Sequence, residues 1–318
     1  MTNFIRKCPE CGKTIYYSCK SSLNYATKKD SHCYECKLKN AYNVSNKNNI
    51  KILLNETLIS YYWIGFILAD GHIEKNKRLQ ISLSKKDYEH LKKLEKYIKA
   101  KIVKNEIRNN QEICTLTAQD SIYIPKLTEI FDIKNNKTKN PPNILVFQNL
   151  EKEKLLSLII GFIDGDGNIN NQYKRKDFKL SLKCHKNCFD ILGLFSETID
   201  NTNKTKINNK GYAEFHVTNS ISLKKLKLFA IENELPVLKR KWDLIDLNYV
   251  SKNEILIERK KEILQLCNSN NSIKEISKKL KIKYTTVYNI IKKNNFKINK
   301  HERNIKKNGG KLSEEKGN

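Results

Sequence analysis

Residues 63–71 read WIGFILADG, and 96 residues later, at 159–167, the chain reads IIGFIDGDG. Each stretch sets two small residues four apart on one helical face, Gly65 with Ala69 and Gly161 with Gly165, among large apolar neighbours. That spacing lets two helices approach until their backbones nearly touch. Both stretches then close on an acid followed by glycine, Asp70-Gly71 and Asp166-Gly167, where glycine is expected to leave the helix with positive φ. Packing the helices together therefore brings two carboxylates to one place. At helix C-termini, where the dipole is negative, they repel each other and stay ionised together only beside cations. Hard divalent ions with oxygen ligands meet that need.

The likeness extends outward. Arg78-Leu79-Gln80-Ile81 aligns with Lys179-Leu180-Ser181-Leu182 and Cys114-Thr115-Leu116-Thr117 with Phe215-His216-Val217-Thr218, both offset by 101, while Asp120-Ser121-Ile122 and Asn219-Ser220-Ile221 align at 99. Small changes of offset put the insertions in loops, as in two copies of one unit. Each copy predicts an apolar helix (57–69 and 152–164) and a hairpin (71–75 with 78–84, 167–173 with 178–184). An amphipathic helix follows, carrying Tyr88, Leu91, Leu94 and Ile98, or Phe189, Leu192, Phe195 and Ile199. A second hairpin turns at Asn109-Asn110 and at Asn209-Lys210-Gly211, and Asp120 and Asn219 stand as N-caps of a third helix. The fold class is α+β: two pseudo-symmetric αββαββα halves with antiparallel sheets, 57–140 and 151–248, with an Asn-rich, Pro141-Pro142 linker between them at 132–150.

Lys and Arg number 61 against 34 Asp and Glu, a formal net charge of +27 that runs through nearly every segment. A compositional bias toward Lys, Asn and Ile contributes, but Glu has not kept pace, and a polyanion is the expected partner. The longest apolar runs, 63–69 and 155–163, fall far short of the ~20 residues a membrane-spanning helix needs. The opening MTNFIRKCPECG has no apolar secretory core, so the nine cysteines are expected in a reducing intracellular compartment: cytoplasm, nucleoid or organelle matrix. Metal ligation is then favoured over disulfides.

WIGFILADG and IIGFIDGDG resemble the LAGLIDADG motif, and the double-copy pattern over residues 57–248 resembles single-chain homing endonucleases. The resemblance implies motif helices at the interface of the halves, four-stranded sheets forming a saddle over the major groove of double-stranded DNA, and a monomer acting as a pseudo-dimer. It implies Mg²⁺ at Asp70 and Asp166, with the backbone of Gly71 and Gly167 adjacent, and hydrolysis of one phosphodiester on each strand at a long specific site, the chemistry of intron mobility. Copy one departs from the motif with Leu68 at the position of its first acid, which copy two keeps as Asp164; that position is not the family's metal ligand. The family also sets basic or amide side chains near the metals, for which Lys183 and Gln80, on the second strand of each hairpin, are the candidates; phosphate contacts or solvated strand residues are the other readings. An RNA-splicing maturase that binds intron RNA, and a transcriptional regulator on the same fold, are rival functions. The intact acid pair favours the nuclease.

Two further segments flank the repeats. Cys8-x2-Cys11 and Cys33-x2-Cys36, 21 residues apart, have the spacing of a tetrahedral Zn²⁺ site of zinc-ribbon type in a module at 1–45, followed by a polar connector at 46–56. Pro9 and Gly12 suit a tight turn that aims backbone N–H groups at a thiolate, and Cys19 and His32 are spare donors. Cys114, Cys184, Cys188 and Cys267 have no partner spacing and read as core or surface thiols. Within 252–300, SIKEISKKLKIKYTTVYNIIKK (272–293) resembles a helix-turn-helix, with a Ser272–Glu275 capping box and an inner face of Ile276, Leu280, Ile282, Val287 and Ile291. Its second helix, starting near Thr285, would present Tyr284, Thr285, Thr286, Tyr288, Asn289 and Lys292 to DNA. Lys281, where such turns usually carry Gly, predicts a looser turn, and 301–318 is expected to be disordered.

Overall fold

At the amino terminus, strands β1 (Phe4–Lys7) and β2 (Thr14–Tyr17) pair antiparallel, followed by helix α1 (Lys20–Lys28) and a helical turn at 34–37. These belong to a computed structural model that describes residues 4–37, 48–74, 77–108, 111–172, 177–200 and 203–297. The expected tail disorder at 301–318 and the turn at Asn109-Asn110 lie outside the described residues. The connector expected to be polar is partly core: Ile50 and Leu53, in the 3-10 turn Ile50–Leu54, are fully buried.

The first half runs α2 (Leu58–Asp70), β3 (Gly71–Glu74), β4 (Arg78–Ser84), α3 (Tyr88–Ile98), β5 (Lys101–Arg108), β6 (Gln111–Gln119) and α4 (Tyr123–Ile130). After a linker carrying α5 (Leu145–Gln148), the second half repeats it as α6 (Lys152–Asp166), β7 (Asn168–Gln172), β8 (Asp177–His185), α7 (Phe189–Thr198), β9 (Lys206–Ile207), β10 (Tyr212–Val217) and α8 (Ser220–Glu232), then a short α9 (Lys239–Trp242). The antiparallel sheets have strand orders β3-β4-β6-β5 and β7-β8-β10-β9, so the αββαββα unit occurs twice with one topology. Alternation decides which face is covered. In β4, Leu79 and Ile81 are fully buried while Arg78 and Ser82 are exposed; in β8, Leu180 and Leu182 are buried while Lys183 is exposed. The helices cover one face of each sheet, α3 through Leu91, Leu94 and Ile98, and the polar face is left open.

The third helices are capped as the sequence suggests, with one adjustment. Asn219 accepts from the Ile221 N–H at 3.1 Å. Asp120 accepts from the N–H groups of Ile122 and Tyr123 at 2.8 and 2.7 Å, although α4 itself begins only at Tyr123. The linker is not a mere spacer either: Phe147 is 1% exposed.

Helices α2 and α6 cross at the centre of this unit. A Cβ added to Gly65 would lie 1.9 Å from the Leu158 carbonyl oxygen, and one added to Gly161 would lie 1.8 Å from that of Tyr62. Only hydrogen fits at either position. Side chains then tie the halves together. Asp164, buried, accepts from the Tyr62 hydroxyl at 2.6 Å, the Trp242 indole N–H at 2.7 Å and the Leu238 N–H at 2.8 Å. Arg240 grips Asp87 bidentately at 2.5 and 2.7 Å. Asp164 is thus a structural acid, and Leu68 in the first copy needs no such partners.

Residues Asn248–Asn318 form a second compact unit, whose described part is α10 (Lys252–Asn268), α11 (Ile273–Leu280) and α12 (Tyr284–Lys293). Ile263 and Cys267 of α10 join Ile276, Val287 and Ile291 in its core, so a third helix completes the two read from sequence. Ser272 and Glu275 make the capping box reciprocally, at 3.3 and 2.8 Å. The turn is not loosened by Lys281. It takes φ +54°, the left-handed conformation glycine usually supplies, and Ile282 N–H still donates to Ser277 O at 3.1 Å. Among the described residues no helix is long and apolar enough to cross a membrane.

Candidate metal and nucleic-acid sites

The crossing of α2 and α6 ends at the two acids. A Cβ on Gly165 would fall 2.3 Å from the Ala69 Cβ and 3.2 Å from Oδ2 of Asp70, so the Asp70 carboxylate lies against the last turn of α6, beside Asp166. Asp70 is half-buried and Asp166 more exposed. Burial, followed by the charge of Asp166, pushes the Asp70 carboxyl up to about 6, against the pull of Lys241 and Lys137. Burial also raises Asp166, opposed by the same two lysines. Gly71 and Gly167 do not leave their helices with the positive φ expected of them. Their φ values are −73° and −77°, ordinary extended backbone. They are glycine because a Cβ would sit 2.5 Å from Ile67 O and 2.6 Å from Ile163 O, where the chain folds back over the helix end.

Two lysines behind the acids were not read from sequence. Lys137, in the linker, donates to Leu68 O at 2.5 Å and to Ala69 O. Lys241, in α9, donates to the carbonyls of Ile163, Asp164, Gly165 and Gly167 at 2.6–3.1 Å. Each neutralises the negative end of its own half's helix. Both follow the third helix of their repeat, so aligning the segments beyond that helix is the signal that would have found them.

Of the sequence candidates, Lys183 lines a cavity with Asp166 and Lys137, its Nζ 4.5 Å from the centre of the Tyr212 ring. Gln80 is half-buried on β4, opposite His72 and Thr117. The two are not repeat equivalents, since Gln80 aligns with Ser181 and Lys183 with Ser82.

In the amino-terminal module the ligand atoms of Cys8, Cys11, Cys33 and Cys36 all lie within 4.8 Å of one another. The first pair sits at the β1–β2 turn and the second at the helical turn. Gly12, at φ +72°, closes the first turn by donating to Cys8 O at 2.9 Å. Burial opposes ionisation of the Cys8 thiol, but N–H donors from Cys33, Cys11 and Glu10 outweigh it and bring it down to about 6. Cys19 and His32 stand apart, the first beside the Ser21 and Ser22 hydroxyls at 3.1 Å, the second 3.6 Å from Glu10. Elsewhere Cys114 and Cys267 are buried, while Cys184 and Cys188 line the cavity near Asp166. On α12, Tyr284, Thr285, Thr286, Tyr288, Asn289 and Lys292 are all exposed on one helix.

A helix-turn-helix domain family matches residues 259–298. No curated protein sequence matches the chain. Among solved structures similar to it, the LAGLIDADG homing endonuclease I-GzeII in complex with a DNA target is 15% identical, covering 64% of this chain and 91% of that one, with a TM-score of 0.41. The LAGLIDADG meganuclease I-AabMI bound to uncleaved DNA is 18% identical over 63% and 91%, at 0.40. Full-length DUF199/WhiA from Thermatoga maritima is 14% identical over 79% and 95%, at 0.39. The chain is a doubled αββαββα fold, with a cluster of four cysteines before it and a helix-turn-helix domain after it, and the solved structures similar to it include LAGLIDADG homing endonucleases and DUF199/WhiA.

Proposed function

We propose that the protein is a site-specific endonuclease that cuts double-stranded DNA with Mg²⁺ held by Asp70 and Asp166. The observation that carries this reading is the convergence of two repeat-related carboxylates at crossed helix ends, each opposed in ionising by burial and each faced by both lysines. Such a donor set is suited to hard divalent cations, which when bound supply Lewis acidity and a more acidic water. The chain's own residues do the rest. Asp70 and Asp166 hold the cations, Lys137 and Lys241 fix the turns that present them, and the open polar faces of the two sheets lie along the duplex. Lys183 and Gln80 are proposed to reach the backbone near the cut, and the exposed side chains of α12 to read a further stretch of bases. The four thiol groups are suited to one structural Zn²⁺ in the amino-terminal module.

The test is to expose a plasmid library of random inserts to the protein with Mg²⁺ and sequence the ends formed. Recurrent staggered ends at one long sequence support the reading. Binding without any cut by protein that promotes intron splicing replaces it with the maturase.

A further inference from the structure

Outside the amino-terminal cluster, two cysteines form a pair beside Asp166. Cys184 lies at the end of β8 and Cys188 immediately before α7, with the 3-10 turn Lys186–Cys188 between strand and helix. Side chains alternate along β8, so Cys184 falls on the covered face with Leu180 and Leu182, opposite the buried Ala213. The turn brings Cys188 to the same side, and the two thiols hydrogen-bond to each other. Both line the cavity of about 570 Å³ that Asp166 and Lys183 also line, and both are only partly buried. Cys114 and Cys267, by contrast, are buried.

The fold does not require sulfur at these places. At the offset of 101 that aligns β4 with β8, the first copy carries Leu83 and Asp87, and Asp87 is held by Arg240. The pair is also chemically divided. Donation from the Cys184 thiol draws Cys188 below the usual thiol range, against burial and the Asp166 charge. The same bond, followed by burial, pushes Cys184 up. Cys188 is therefore the readier thiolate and Cys184 the thiol next to it, an attacking sulfur with a resolving partner.

We propose that Cys184 and Cys188 are a modification site: hydrogen peroxide closes them into a disulfide beside Asp166, and that bond holds back cleavage until a thiol reductant reopens it. A water takes up roughly 30 Å³ of liquid, so the cavity admits a small peroxide. The Cys188 sulfur attacks one peroxide oxygen, the O–O bond breaks and the thiol's proton leaves with the other oxygen as water, giving a sulfenic acid. The Cys184 sulfur then attacks the Cys188 sulfur. An S–S bond forms as the S–O bond breaks, and the departing hydroxide takes the Cys184 proton as a second water. Two thiols are oxidised and one peroxide is reduced. The disulfide would join the end of β8, next to Lys183, to the start of α7, on the wall of the cavity that Asp166 shares.

The experiment has two arms. Full-length protein is exposed to hydrogen peroxide, alkylated, digested with trypsin and mapped by mass spectrometry. Trypsin cuts after Lys183 and Lys186, so the disulfide appears as two joined peptides. They should form at least roughly tenfold faster than Cys114 or Cys267 is oxidised, and dithiothreitol should separate them. Cys184→Ser keeps a donor to Cys188 and should stop at a sulfenic acid there, trapped by dimedone, while in Cys188→Ser the Cys184 thiol should stay unmodified. Joined peptides that never form, or that form no faster than Cys114 and Cys267 react, overturn the modification site. The second arm, on cutting, rests on the proposed nuclease reading. On a confirmed target in Mg²⁺ the oxidised parent should cut at least roughly tenfold more slowly than the reduced parent and regain its rate in dithiothreitol, while peroxide leaves the rate of Cys188→Ser unchanged. An oxidised parent that carries the disulfide and cuts at the reduced rate overturns the control of cleavage. If the reduced parent cuts no DNA, the nuclease reading falls, and the peptide map still decides the thiol pair.

Discussion

Replacing Asp70 by Asn removes a charge that the fold disfavours, and the variant should be more stable than the parent at neutral pH. The carboxyl rises from its ordinary 3.8 to about 6 in the folded chain, the first cause being burial and the second Asp166. A folded value above the unfolded one means the native state holds the proton more tightly, so stability falls as pH climbs from 3.8 to about 6. Above that window the full penalty applies, about 3 kcal/mol at 1.36 kcal/mol per pH unit. At pH 4 the same linkage leaves only about 0.5 kcal/mol. Without added divalent cation, Asp70→Asn should therefore melt roughly 5–10 °C above the parent at pH 7.5, and the gap should nearly close at pH 4. Thermal unfolding followed by circular dichroism across pH 4–8 reads both. Mg²⁺ should raise the parent's Tm at pH 7.5 and leave the variant's unmoved. A variant no more stable than the parent at pH 7.5, or a gap that does not change with pH, refutes the electrostatic account of the site.

Gly161→Ala places a methyl 1.8 Å from Tyr62 O, so α2 and α6 must part; a loss of at least about 3 kcal/mol is expected, read as a collapsed denaturation midpoint. Lys281→Gly relieves a left-handed lysine at φ +54° and should stabilise the carboxyl-terminal unit by about 1 kcal/mol, measurable on residues 248–318 if they fold alone or as a later transition in the full chain. Purified protein should carry one Zn²⁺ per chain, lost in Cys8→Ser with the repeats still folded; metal analysis finding none in protein made without chelator contradicts the four-thiolate site. Deleting residues 252–318 should shorten the footprint on a confirmed target, and coincident footprints would remove the helix-turn-helix from DNA contact.

The doubled topology was legible because the repeat doubles every constraint: two small-residue helical faces, two period-two strand pairs and two capping residues agree with one unit. Asp70 and Asp166 were legible for the same reason. Lys137 and Lys241 were not, because their role is to satisfy carbonyls at the end of a helix far away in sequence, and one lysine among many in a chain of net charge +27 carries no pattern. The requirement for glycine after each acid was legible, but not its reason, which is steric and not a positive φ. Sequence shows that a side chain is absent, and only packing tells positive φ from a steric limit against Ile67 or Ile163. Lys281 shows the reverse, a non-glycine residue held in the left-handed region by the helices on either side. Ile50, Leu53 and Phe147 were hidden inside stretches whose average polarity suggested connectors, although single apolar side chains there reach the core.

The most direct measurement compares binding and cutting in Asp70→Asn and Asp166→Asn on a confirmed target. Both substitutions keep the shape of the side chain and remove the charge that holds a hard cation, so cleavage in Mg²⁺ should fall by orders of magnitude, on the order of 10³ or more, while affinity in Ca²⁺ persists. Loss of one acid should leave at most slow nicking of a single strand. If both variants cut that target at the unmutated rate, Asp70 and Asp166 are not the active site and the central claim fails.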